Sequence, residues 1–170
     1  RFIDTLSADD EFAFNLFYRG YAYYHLKDNA RALADFEQAY QLNPIFYSMI
    51  GKVLASAIDG RSRLGLNTLK DLVRQMEQRG VCDPEVIYKV AQCYAVLGDA
   101  PSALLHLERS IRGGFFCYRY ILRDPLLENL RGERKFPILV ELARARHERF
   151  KSQFFPSPDQ RTAAAMRLPR

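Results

Sequence analysis

A run of about thirty residues that returns 71 positions later limits the folds open to this chain more than any other feature. In the first copy, AFNLFYRGYAYYHLKDNARALADFEQAYQLNP from Ala13 to Pro44, the pattern rests on Gly20, Tyr23, Ala32, Phe36, Ala39 and Pro44. Ala91, Tyr94, Ala103, Leu107 and Ser110 stand at the same offsets in the second (91−20, 94−23 and 103−32 all give 71). The small residues Gly20/Ala91 and Ala32/Ala103 let two antiparallel helices approach closely, with Tyr23/Tyr94 and Phe36/Leu107 filling the space between them. A helix pair cannot bury its apolar faces alone, so repeated pairs stack on one another.

The pattern resembles the tetratricopeptide repeat, a helix–turn–helix unit of about 34 residues. One position departs from it: Arg19 stands where a leucine is usual. A spacing of 71 leaves room for a divergent middle unit over residues 45–80, with an apolar run from Ile45 to Ile58, a break at Asp59-Gly60-Arg61-Ser62 and a second amphipathic run to Arg79. The three residues in excess of two units are expected at that break. The resemblance then covers residues 8–115 and implies an all-α, right-handed αα solenoid (a TPR-like superhelix) of about three helix pairs with a C-terminal capping helix. The expected division is 1–115 for the three pairs, 116–154 for a capping turn and long helix, and 155–170 for a tail.

Helix signals agree with this division. Ser7 with Asp10 reads as the N-cap pair of a first helix reaching Leu26. A second helix is expected over 30–42, a third over 46–58, a fourth over 63–79, a fifth from Asp83-Pro84 to Leu97, and a sixth over 101–112 closed by Gly113-Gly114. Asp124-Pro125 predicts one short helical turn. Glu133 to Phe154 predicts a long final helix, with Pro137 tolerable only in its first turn. The stretch VIYKVAQCYAVLGDAPSALLHLERSIRGGFF with RDPLLENLRGERKF further resembles the end of repeat arrays in multidomain bacterial regulators. In such proteins the array follows a signalling module: a Ser/Thr kinase, a cyclase or a winged-helix domain.

In such arrays the first helix of each pair lines the concave face, which suits a peptide or a partner's helix. The resemblance places Phe14, Phe17, Tyr21, Tyr24 and His25 there from the first unit, and Glu85, Tyr88, Gln92 and Ala95 from the third. Phe17 and Tyr21 occupy places where chaperone-binding members carry Lys and Asn, so a carboxylate clamp is not expected. The same aromatic stripe could instead be core, packed by a preceding unit or by the C-terminal segment folding back. The FFPSP stretch at 154–158 could also enter the chain's own groove.

Charge is unevenly placed. Residues 1–111 carry 12 basic and 14 acidic side chains, net −2, whereas 112–170 carry 13 and 6, net +7. Arg144, Arg146, Arg149 and Lys151 concentrate the excess on the last helix, beyond Arg131, Arg134 and Lys135. The patch could meet nucleic acid or an acidic partner, or could be a solvated face with Glu141 and Glu148 as intrahelical partners. Nothing here reads as a catalyst. His25, His106 and His147 fall in separate helices without a metal-ligand motif, and no serine has a nucleophile-elbow context. Cys82, Cys93 and Cys117 lack zinc spacing and read as structural thiols, with a Cys82–Cys117 bridge the alternative. No cofactor or metal is expected.

No apolar stretch approaches the roughly 18 residues of a membrane span. A start at Arg1 suggests a piece of a longer protein. The expected function is a non-catalytic protein-interaction or regulatory module that holds a peptide, a helix or an attached effector domain. The alternative is a sensing or dimerisation domain of a transcription regulator, kinase or cyclase. Cysteine usage points to the cytoplasm, or to the periplasm if the parent is a membrane-anchored receptor.

Overall fold

The computed structural model describes residues 13–155, so the expected Ser7/Asp10 cap lies outside the described residues. Among the described residues the chain is all-helical, with no strand. Six helices form three antiparallel pairs: α1 Ala13–His25 with α2 Asn29–Leu42, α3 Phe46–Ile58 with α4 Ser62–Gln78, and α5 Pro84–Val96 with α6 Ala100–Gly113. A short α7, Tyr118–Arg123, a 3-10 turn, Pro125–Leu130, and the long α8, Lys135–Phe154, complete the chain. Each pair packs on the next through α2–α3, α1–α3, α3–α5 and α4–α5, as a helical solenoid requires.

The repeat is visible in the turns. Lys27 and Gly98, 71 positions apart, both take left-handed backbone, with φ of 61° and 85°. Both following aspartates donate their backbone N–H to a carbonyl five residues back (Tyr23 and Tyr94, each 2.9 Å). Their carboxylates then cap the next helix, Asp28 accepting from Arg31 N at 3.2 Å and Asp99 from Ser102 N at 3.1 Å. Glycine is the residue suited to that φ, and a lysine in its place carries a steric cost.

Within the first pair, Phe36 of α2 lies between Gly20 of α1 and Gly51 of α3. A Cβ on either glycine would come within 2.9 or 2.8 Å of the Phe36 ring. Arg19, the departure from the family pattern, reaches across the hairpin and donates through Nε and a terminal nitrogen to both oxygens of buried Asp35 (2.8 and 2.7 Å). A leucine there would leave that carboxylate without its bidentate partner.

Two expectations are corrected. The extra residues of the middle unit are not at its break, because all three hairpin turns span three residues (26–28, 59–61, 97–99). They lengthen α4, which has 17 residues against 14 in α2 and in α6, and the linker 79–83. The second correction is α7, which the sequence pattern did not reveal. Its six residues bury only Ile121, too few for a period to register.

Beyond Gly114 the chain turns back over the array. Ile121, Leu127 and Leu130 are fully buried, and the 3-10 turn lies along α5. Helix α8 packs on α6 and α7 through Phe136, Leu139 and Ala143, then runs free, with every residue from 148 to 155 exposed. Pro137 sits in its first turn. The three cysteines are free: Cys93 is buried, with burial pushing its thiol well above the ordinary range, whereas Cys82 and Cys117 are exposed. Exposure of those two corrects the expectation of three structural thiols.

Candidate functional site

The solenoid curves enough for units one and three to meet face to face. Tyr18 of α1 donates its hydroxyl to Glu85 of α5 at 2.9 Å. One turn along, Tyr21 donates to Gln92 Oε1 at 2.8 Å, two positions that are 71 residues apart and equivalent in the repeat. Lys89, between them on α5, is 4% exposed. Its ammonium bonds Glu85 at 2.8 Å and stands over the rings of Tyr18 and Tyr21, at 5.1 and 4.9 Å from their centroids. Burial disfavours charge on Glu85, but Lys89 and Tyr18 together hold its carboxyl below the usual range.

The C-terminal segment closes the inner end of this face. Phe115 stacks on Tyr88 with centroids 4.4 Å apart, and the Tyr120 hydroxyl lies 3.2 Å from that of Tyr21. Asp124, 1% exposed, accepts from Tyr88 and from Gln92 Nε2 on one oxygen and caps the 3-10 turn with the other, accepting from Leu126 N at 2.9 Å. Burial, then the nearby Asp124 carboxylate, pushes the Tyr88 hydroxyl far above its ordinary value. Burial, then Tyr120 and Asp124, does the same to Tyr21. Both phenols are neutral donors at any physiological pH.

This arrangement gathers most of the expected groove residues but turns several of them inward. Phe17, Tyr88 and Gln92 are closed off (0%, 1% and 0% exposed), Phe17 by Phe36 and Tyr47, the other two by Phe115, Tyr120 and Asp124. In this conformation Phe17 and Gln92 offer no surface to a partner, which corrects their reading as contact residues, whereas Tyr88 keeps a sliver of surface towards the recess described next. Tyr21 shows only its edge, Tyr24 is half-buried, and Phe14 is exposed, packed edge-on against Tyr18 and Tyr47. Phe154 and Phe155 turn to Phe150 and not to this face, and 156–158 of the FFPSP stretch lie outside the described residues.

What stays open is a recess of about 510 Å³ walled by Tyr18, Tyr21, Tyr88, Phe115 and Tyr120, with Lys89 and Glu85 at one side and Cys117 at its rim. Sequence reasoning missed Tyr18, Lys89, Phe115, Tyr120 and Asp124. The i,i+4 spacing of Glu85 and Lys89 was the available signal for one of them; the rest come together only through the return of the chain. The basic residues divide. Arg144 is held by Glu141 (2.8 Å) and the Arg146 guanidinium lies over the Phe116 ring (5.6 Å). Arg149 and Lys151 have no carboxylate partner among the described residues.

Residues 13–46 match the family model described as tetratricopeptide repeat. No curated protein and no solved structure matches the chain.

Proposed function

We propose, from a fold and a repeat match that fit a tetratricopeptide repeat domain, that this chain is a non-catalytic protein-interaction module whose partner segment enters the recess between units one and three. Repeats of this family are in general protein-interaction modules. The observation that carries the finer reading is the recess itself, a concave space of about 510 Å³ with five aromatic walls beside a lysine paired to only one carboxylate. An apolar side chain of an extended peptide fits among Tyr18, Phe115 and Tyr120, where rigid rings give contact area at little entropic cost. An ammonium has three donors. Lys89 gives one to Glu85, so a backbone carbonyl of the peptide can take another and set its register. The partner is a separate protein or a further domain of the same polypeptide.

The test is capture of a partner by the immobilised chain, with Phe115→Ala and Tyr120→Ala as variants. Loss of an aromatic anchor at such a site costs about 2 kcal/mol or more, so capture weakens by at least about tenfold while thermal unfolding stays cooperative. Undiminished capture by both variants removes this recess as the site.

A further inference from the structure

The free end of α8 carries a second surface, separate from the recess. From residue 148 onward every described residue is exposed, and Phe116 is the neighbour that the helix meets there through Phe150. Phe150, Phe154 and Phe155 are nonetheless 42%, 58% and 68% exposed, and they cluster with one another and with Phe116 at centroid distances of 4.8 to 6.2 Å. At about 100° per residue, Phe154 falls about 40° from Phe150, with Lys151 about 100° to one side and Arg149 about 100° to the other. Glu148, the acidic residue of this stretch, lies about 160° away on the opposite face. The end is therefore an apolar stripe flanked on both sides by unpaired cations, with Arg146 over Phe116 at its base. A recess of about 240 Å³ lies at the base of this end, lined by Phe116, Arg146, Arg149, Phe150 and Gln153, and beyond it the exposed Phe154 and Phe155 suit insertion into a surface. The charges of this end call for an anionic one, and long basic side chains beside phenylalanines can lie along apolar surface while their heads stay at phosphate level.

We propose that this end of α8 is a membrane-surface contact for anionic lipid, with Phe150, Phe154 and Phe155 entering the interface and Arg146, Arg149 and Lys151 meeting lipid phosphates. No helix among the described residues is long and apolar enough to cross a membrane, so the contact lies on the bilayer. The sequence that follows continues the charge with Arg161, Arg167 and Arg170 against Asp159.

The chain contains no tryptophan, so Phe154→Trp in the full chain gives a single reporter at an exposed position that leaves the core intact. Its emission shifts to the blue on adding vesicles of phosphatidylcholine with phosphatidylglycerol, and not on adding phosphatidylcholine alone. Co-sedimentation with the anionic vesicles exceeds that with neutral ones by about tenfold or more and falls with added salt. Phe154→Ala with Phe155→Ala lowers it by about tenfold, and Arg149→Glu with Lys151→Glu returns it to the neutral-vesicle level. Absence of the emission shift, equal binding to both vesicle types, or undiminished binding by the charge-reversed variant overturns the proposal. So does retention by duplex DNA, but not by vesicles, that is indifferent to the phenylalanines.

Discussion

Phe36 sits in a slot built from the absence of two methyl groups, and that slot sets how closely α1, α2 and α3 approach. Gly20→Ala gains about 1 kcal/mol of helix propensity, but its Cβ would stand 2.9 Å from the ring and 3.0 Å from Asp35 Cβ. Overpacking of that kind costs about 1–3 kcal/mol, and Phe36, fully buried, has nowhere to retreat. Steric cost wins: urea melts should show Gly20→Ala less stable than the parent, and an equal or higher midpoint would show that the hairpin can widen. The small residues and the large ring were legible in the sequence as a matched set, because spacing alone puts them on facing sides of a helix pair. The partner of Arg19 was not. A charged residue at a usually apolar place has no sequence-local explanation until the hairpin brings Asp35 beneath it, and the two then satisfy each other in a bidentate pair.

Elements with caps and full periods were readable to within a residue or two. The fifth helix announced its start, since Asp83 accepts from Glu85 N and Val86 N with Pro84 just inside. Of the elements held by distant contacts, the short turn opened by Asp124-Pro125 was readable and helix α7 was not. Helix α7 and the 3-10 turn owe their place to Asp124, whose carboxylate joins the turn to Tyr88 and Gln92 of α5. Asp124→Ala removes the cap, worth about 1 kcal/mol, and strands two buried donors at about 1–3 kcal/mol each. A loss of about 3 kcal/mol or more in denaturant melts is expected, with Asp124→Asn intermediate because its carbonyl oxygen can still accept. If Asp124→Ala melts with the parent, the return segment is not anchored there. The misplaced insertion has a related cause: extra residues extend a half-exposed helix and the linker after it more readily than they disturb a hairpin turn.

At the level of the molecule, a buried histidine, His106, and a half-buried one, His25, couple stability to pH. Burial holds His106, whose Nδ1 donates to Ser102 O at 2.9 Å, and His25 below the ordinary 6.5. Around His106 the Glu77 and Asp99 carboxylates pull upward against Arg109; around His25, Asp124 pulls upward against Lys89. Both rings have an Nε2 without a hydrogen-bond partner. The unfolded chain therefore binds more protons than the folded one below 6.5, so this share of stability is full above that pH and is lost as pH falls towards the depressed folded values. Melting temperature should drop between about pH 7 and 5, and His106→Leu should flatten that fall; an identical slope would assign it to other groups. The all-α class, the paired helices, the repeat offset and the basic end were determined by the sequence itself, because hydrophobic period, small-residue spacing and charge are properties of neighbours along the chain. Only the tertiary structure decided that Tyr21 and Gln92 meet, that Phe17 and Gln92 are sealed, and that a recess survives beside Lys89. Those outcomes depend on the curvature of three stacked pairs and on a segment returning from beyond Gly114, and long-range packing of that kind leaves no periodic trace in the sequence.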